Sequence, residues 1–189
     1  MAFLTDLWLP ILLSAVFVFI ASSISHMVLP FHKKDYRKMN NEDAVLEAMR
    51  ASGVTPGTYT FPCAGSMKKM GTPEMVEKMK KGPLGLLTVM PPGGFNMGKN
   101  LAGWFVYLLI VGVLVAYVGW HTLTAGADYL TVFRITGAAA LLGYAVGVMN
   151  DSIWKGQRWS TTAKFMVDGF VYALLTAGTF GWLWPEAAA

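Results

Sequence analysis

The stretch LAGWFVYLLIVGVLVAYVGWHTL, residues Leu101–Leu123, contains no Asp, Glu, Lys or Arg. An α-helix needs about 20 apolar residues to cross roughly 30 Å of hydrocarbon, so this run is long enough to span a membrane. Three further runs are of similar length and carry at most one charged residue each: Leu7–Leu29, Leu130–Val148 and Phe165–Trp184. The sequence therefore predicts an all-α membrane protein with four transmembrane helices.

Basic residues lie almost entirely on one side of these four runs. Residues 31–99 hold eleven Lys and Arg against six Asp and Glu, and residues 150–164 hold three more, which makes fourteen of the fifteen basic residues. Loops rich in Lys and Arg stay in the cytoplasm. We therefore predict that residues 1–30 form the first transmembrane helix with its N-terminus outside, and that residues 31–99 are cytoplasmic. Residues 100–189 then form helices two to four, with the C-terminus outside.

The cytoplasmic segment, residues 31–99, has the patterns of a small α+β insertion between helices one and two. Capping residues, apolar periodicity and closing glycines indicate two helices, and short apolar runs bounded by Pro and Gly indicate two strands. The helix signals cover residues 40–53 and 72–82, and the strand signals cover residues 55–61 and 84–90. Eight of the twelve methionines lie in this segment. Adaptable Met-rich faces suit a surface that docks a partner or lipid.

A cluster of basic residues follows the first apolar run directly, at Lys33, Lys34, Arg37 and Lys38. Anionic headgroups attract such residues by about 1 kcal/mol per charge. Aromatic residues are not interleaved with the basic ones in a nucleic-acid-binding pattern. We therefore expect membrane lipid as a partner, together with a protein partner or a second copy of the chain, and no nucleic acid.

Two charged residues lie inside apolar runs, where ionisable groups are expensive and are functional candidates by default. Arg134 lies about one turn from the predicted outer end and Asp168 about one turn from the inner end, so a direct pair is not expected. Asp168 can instead meet Lys164 at i−4. Structural roles are favoured because both charges lie near the interfaces, but Asp168 is the leading functional candidate. Gly169 opens space beside it, and Tyr144 is expected at similar depth.

Small residues recur every four positions in the third and fourth runs and predict where these helices pack. The two stripes are Ala139, Gly143 and Gly147, and Ala173, Ala177 and Gly181. Since close backbone approach drives helix association in lipid, they indicate an antiparallel hairpin of helices three and four. The alternative is that glycine is simply frequent in transmembrane helices.

Two motifs resemble ligand-binding sites, but each lacks a feature that binding would need. Gly93–Asn100 matches the phosphate-binding loop G-x-x-x-x-G-K-[ST] except at Asn100, which replaces the hydroxyl that would hold magnesium. Cys63, Met67 and Met70 offer soft donors that would suit Cu(I), but the surrounding Pro and Gly argue against a helix that would align them. The first motif is better interpreted as a turn before a helix, and the second as part of the Met-rich surface.

The three histidines, His26, His32 and His121, are predicted at different depths, without a partner on another span. A haem held by two histidines at one depth is therefore not expected. No Ser-His-Asp set, H-E-x-x-H or C-x-x-C motif is present. We accordingly predict no cofactor, no metal site and no enzymatic activity.

Three stretches of the chain resemble a group of bacterial four-span membrane proteins with no assigned function. They are LPFHKKDY at residues 29–36, GTYTFP at residues 57–62 and FGWLWP at residues 180–185. The resemblance implies a multi-pass protein of the bacterial inner membrane and implies no mechanism.

Two functional hypotheses follow from the sequence. The first is an accessory or scaffold protein whose cytoplasmic segment docks a partner or anionic lipid. The alternative is a small transporter or channel subunit that uses Asp168 on an inner-facing path. Four spans are few for a transporter, so the alternative requires an oligomer.

Overall fold

The computed structural model describes residues 2–187 and contains four helices long and apolar enough to cross a membrane. These spans are Trp8–Val28, Met97–Thr122, Tyr129–Lys155 and Trp159–Trp182. Each coincides with one of the apolar runs, so the prediction of four membrane-length helices is confirmed. The chain divides into two units. We call residues 2–36 and 97–187 the bundle, and residues 37–96 the inserted unit.

The inserted unit lies in the sequence between the first and the second span of the bundle. In chain order the elements are α1 (Ala2–Asp6), α2 (Trp8–Ser23), α3 (Glu42–Ala51), β1 (Gly57–Phe61), α4 (Met67–Met70), α5 (Pro73–Lys81), β2 (Gly85–Val89), α6 (Met97–Thr122), α7 (Tyr129–Tyr144), α8 (Met149–Lys155) and α9 (Trp159–Trp182). The first span ends in a π-helical turn, Ile24–Val28, followed by a 3-10 turn, Pro30–His32. The third span is interrupted by a second 3-10 turn, Val146–Val148.

Helix α9 is central to the bundle, because it contacts both α2 and α7 and buries more of its length than the other spans do. Side chains from all four spans form one core. Its largest fully buried apolar members include Leu7, Val18, Leu108, Val115, Val132 and Phe180. In lipid, which is as apolar as these side chains, close packing would have to hold such helices together.

The stripe of small residues on α9 lies at its contact with α7. Ala173 and Ala177 are buried, and a Cβ atom built on Gly137 would lie 3.1 Å from the Ala177 Cβ. A Cβ on Gly181 would lie 2.8 Å from the ring of Tyr129. The absence of a side chain at Gly137 and at Gly181 therefore leaves room for the neighbouring helix.

The stripe predicted on the third span is wrong in part. Gly143 packs against Val111 of α6 rather than against α9, since its Cβ would lie 3.1 Å from a Val111 methyl group. Gly147 has open space around it, and Ala139 is only partly buried. The physical reason is the break after α7: Gly147 lies in the 3-10 turn, where the four-residue period of an α-helix no longer applies.

The inserted unit has the predicted α+β composition. Strands β1 and β2 pair antiparallel, with Gly57 opposite Val89 and Phe61 opposite Gly85. Gly85 leaves room for the Phe61 ring, which would lie 2.8 Å from a Cβ at that position. Within residues 37–96, all of which the structure describes, Met75 is the one buried hydrophobic side chain. This unit therefore has a very small core of its own.

Candidate functional site

The end of the first span is shaped by a π-helical turn and a proline. The Leu29 amide donates to the Ile24 carbonyl at 3.0 Å, five residues back. Leu29 itself is extended, with φ −77° and ψ 143°, because the residue before a proline is disfavoured in the helical region. The chain then folds back through Pro30–His32. Single π-helical turns are frequent at functional sites.

This fold-back stacks two histidines that the sequence placed at different depths. The rings of His26 and His32 are parallel within 8°, with centroids 4.3 Å apart. Phe165 of α9 stacks on His32 at 5.1 Å. In a continuous helix, residues six positions apart would be separated by about 9 Å along the axis. The turn at Leu29 and Pro30 therefore brings together two histidines of the same segment.

Asp168 of α9 is buried, with 7% of its surface exposed, and connects α9 to the first span. Its Oδ1 accepts a hydrogen bond from the Ser25 hydroxyl at 2.7 Å. Its Oδ2 lies 2.7 Å from His32 Nε2. The predicted pairing of Asp168 with Lys164 is not formed, because Lys164 Nζ donates to the Asp35 carboxylate at 2.6 Å and to the Phe31 carbonyl at 2.7 Å.

Asp35 completes a chain of hydrogen bonds that runs from Ser25 to Lys164. Its side chain is 3% exposed, and its Oδ2 lies 2.6 Å from His32 Nδ1. Burial alone would raise the pKa of the Asp35 carboxyl, but the hydrogen bonds from Lys164 and His32 outweigh burial and hold that pKa below its ordinary value. Asp35 is therefore a carboxylate at neutral pH, and His32 lies between two carboxyl groups.

His26, His32 and Asp168, which we call the histidine–aspartate cluster, present three potential metal ligands. One ligand atom from each lies within 4.8 Å of the other two. Ligand atoms in a tetrahedral site with bonds near 2.0–2.1 Å are about 3.3 Å apart, so the longest separation would have to shorten by up to about 1.5 Å. The two stacked rings would also have to turn so that their in-plane lone pairs meet at the metal. Two imidazoles and one carboxylate form the ligand type of catalytic zinc sites and of non-haem iron sites.

Each member of the cluster is oriented by a second group. His26 Nδ1 donates to the Ser22 carbonyl at 3.1 Å, which leaves the Nε2 lone pair available. His32 is oriented by Asp35 and Asp168 by Ser25, as described above. Such outer partners fix the tautomer and the direction of metal ligands.

A cavity of about 550 Å³ adjoins the cluster and shares His26 and Asp168 with it. Four aromatic residues line one part of the cavity, and their rings contact one another. They are Trp104, Tyr107, Tyr144 and Tyr172. The Tyr172 hydroxyl is buried and finds no hydrogen-bond partner among residues 2–187. Apart from this hydroxyl and the cluster, the lining is predominantly apolar.

The structure brings Asp168 and Tyr144 together in this cavity and leaves the other predicted residues outside it. Arg134 is exposed on α7. The basic residues after the first span are exposed as well, at Lys33, Lys34, Arg37 and Lys38. The segment Gly93–Asn100, which resembles a phosphate-binding loop in sequence, forms a turn followed by the start of α6.

The sequence did not indicate Ser25 or Asp35 as site residues, and it raised His26 and His32 only as possible haem ligands. The one local signal for them was the Leu29-Pro30 step, which ends the helix and returns the chain towards α9. Their partners on α9 lie more than a hundred residues away in the chain. Comparisons with protein-family models, with curated proteins and with solved structures found no match for this chain.

Proposed function

We propose that this chain is an integral membrane protein that binds a divalent first-row transition metal ion through His26, His32 and Asp168. The distribution of basic residues supports an orientation with both termini outside, which puts the site at the cytoplasmic end of the bundle. A bacterial inner membrane is the proposed location.

The observation that carries the proposal is that all three ligands are already oriented by partners of their own. The Ser22 carbonyl holds His26, the Asp35 carboxylate holds His32, and the Ser25 hydroxyl holds Asp168. Carboxylate–histidine pairs of the Asp35–His32 kind recur behind metal-bound imidazoles. The His26 ring stacks on His32, and no hydrogen bond of its Nε2 is seen within residues 2–187.

Charge also favours a cation at this position. The His32 ring lies between the carboxyl groups of Asp35 and Asp168. A bound metal would take the place of the hydrogen atom in the hydrogen bond between His32 Nε2 and Asp168. Three protein ligands leave an open coordination position, which is typical of a metal that acts on a bound molecule rather than one that only stabilises the fold.

The test is zinc binding by the full-length protein in detergent, measured by equilibrium dialysis and elemental analysis. Wild type should bind one zinc ion per chain. Asp168→Asn should weaken binding by more than about 10-fold, because loss of even an outer partner typically costs 10- to 100-fold in metal affinity. His32→Ala should do the same.

Matched controls lie at the other end of the bundle. Asp128→Asn preserves a helix-capping side chain, and His121→Ala changes an exposed histidine on α6, so both should bind zinc like wild type. If wild type bound no zinc, or if Asp168→Asn bound it as tightly as Asp128→Asn, the cluster would be a structural hydrogen-bond network and the proposal would be wrong.

A further inference from the structure

We infer that the cavity beside the histidine–aspartate cluster binds the aromatic head group of a lipid-soluble quinone. The inference goes beyond the proposed metal site and does not require a bound metal. It follows from the position of the cavity, from the stacked rings that line it and from one ring nitrogen of His26.

The cavity lies within the membrane-length part of the bundle, because all of its lining residues belong to the four spans. It is partly open rather than enclosed, and its lining is mainly apolar. Under the proposed membrane insertion, a ligand would therefore reach the cavity from the bilayer. A head group could occupy the cavity while its hydrocarbon tail extends outside.

Two sets of stacked aromatic rings contribute to the lining. Trp104 and Tyr107 of α6 stack within 22° of parallel, with centroids 5.2 Å apart. The His26 ring stacks on His32 and lies 6.0 Å from the Phe165 ring, within 27° of parallel. Flat rings pack on other rings in offset-stacked or edge-to-face arrangements. This lining therefore favours a planar head group over a flexible acyl chain.

His26 supplies a polar contact for an oxygen atom on that planar ring. Its side chain is exposed and lines the cavity. Nδ1 is bonded to the Ser22 carbonyl of the same helix at 3.1 Å, and no hydrogen bond of Nε2 is seen within residues 2–187. An imidazole nitrogen donates or accepts a hydrogen bond according to where its proton lies. Nε2 can therefore pair with a quinone carbonyl or with the hydroxyl of the reduced quinol.

The experiment titrates decylubiquinone into metal-free, full-length protein in nanodiscs, because quinones quench tryptophan fluorescence. Metal is removed since the proposed metal ion would use the same His26 nitrogen. Trp104 is the one tryptophan among the lining residues, so the difference between wild type and Trp104→Phe isolates its signal. We expect saturable quenching of Trp104. Quenching that rises without saturation, or that is unchanged in Trp104→Phe, would show mere partition into the bilayer and overturn the inference.

Decylbenzene, which has the same tail but no oxygen on its ring, is the matched competitor. Displacement of the quinone should need at least about 10-fold more decylbenzene than decylubiquinol, because only the quinol can bond to His26. If the two competitors were equally effective, the cavity would accept any apolar ring and the inference would be wrong.

Two pairs of variants test the contacts with the ring. His26→Ala should weaken quinone binding by about 10-fold, whereas His121→Ala, which changes an exposed histidine outside the cavity, should not. Tyr107→Leu should weaken binding several-fold, whereas Tyr107→Phe should not. Both Tyr107 variants lose the hydroxyl bond to the Gly143 carbonyl, but only Leu removes the ring. Equal affinities within either pair would overturn the inference.

Zinc binding and quinone binding are measured on separate samples, so the two proposals fail independently. If dialysis detects no zinc but Trp104 is quenched as described, only the metal site is wrong. If zinc binds as proposed but the quenching does not saturate, only the quinone inference is wrong.

Discussion

At the scale of single residues, His32 joins the two carboxyl groups of the site through its two ring nitrogens. Nδ1 faces Asp35 and Nε2 faces Asp168, at 2.6 and 2.7 Å. Under the proposed function, Asp35 does not touch the metal but fixes the ring that does. A substitution of Asp35 should therefore change how His32 binds the metal, although Asp35 is not itself a ligand.

We predict that Asp35→Asn lowers zinc affinity by about 10- to 100-fold, because the amide removes the negative charge behind the His32 ring. It also removes the ion pair with Lys164. The affinity is measured by competition with a chromophoric zinc chelator. Asp151→Asn is the control, since Asp151 forms its ion pair with Lys155 away from the site. An affinity equal to that of the control would show that Asp35 does not position a ligand.

The sequence identified Asp168 for a physical reason, since a carboxyl group inside an apolar run is costly and needs a compensating partner. It did not identify that partner. His32 lies outside the apolar run, and the fold-back that brings it to Asp168 depends on packing against α9. The i−4 spacing also predicted a pair between Lys164 and Asp168, which does not form because the Lys164 ammonium binds Asp35 and the Phe31 carbonyl instead.

At the scale of elements, the break in the third span is packed directly against the site. A Cβ atom on Gly169 would lie 2.7 Å from the Tyr144 carbonyl oxygen and 2.9 Å from the Ala145 Cα. Both are backbone atoms, so they cannot move aside as a flexible side chain could. Gly169 therefore lets the end of α7 approach α9 next to Asp168.

We predict that Gly169→Ala lowers the free energy of unfolding by about 1–3 kcal/mol, the usual cost of overpacking. Because Asp168 is the neighbouring residue, zinc affinity should fall as well. Thermal unfolding in detergent provides the measurement. Gly103→Ala is the control, because a Cβ at Gly103 on α6 meets no atom within 4 Å. Equal stability of the two variants would contradict the close approach of α7 and α9.

Four of the five elements of the inserted unit were predictable because local signals set them, whereas the short helix α4 was not predicted. Glycines, prolines and apolar periodicity gave two helices and two strands close to their observed bounds. Side-chain caps were not predictable in the same way: the Thr72 hydroxyl donates to the Lys69 carbonyl instead of capping α5. The end of the first span and the break in the third also escaped prediction, since apolarity alone does not distinguish a straight helix from an interrupted one.

At the scale of the whole molecule, the orientation proposed from charge can be tested at a single position. Cys63 is the only cysteine in the sequence and is exposed. We predict that a membrane-impermeant maleimide labels Cys63 in bacterial spheroplasts only after permeabilisation, because the proposed orientation places the segment containing it in the cytoplasm. The control combines Cys63→Ser with Ala125→Cys, which places a cysteine in the loop between α6 and α7. That protein should be labelled in intact spheroplasts, and the reverse pattern would invert the topology.

The docking function predicted for the Met-rich segment stays a prediction. The inserted unit exposes apolar side chains such as Met67, Leu84 and Met90, and the last turn of α5 is basic. These features are compatible with an anionic lipid surface. They are separate from the cluster in the bundle, so metal binding and docking can be tested independently.

The metal site is tested most directly by X-ray absorption at the zinc edge of the zinc-loaded, full-length protein. A site at His26, His32 and Asp168 predicts a first shell of nitrogen and oxygen at about 2.0–2.1 Å, with scattering from two imidazole rings that falls to one ring in His32→Ala. A shell containing sulfur at about 2.3 Å would instead assign the zinc to Cys63. That result, or a shell without imidazole scattering, would contradict a metal site at His26, His32 and Asp168.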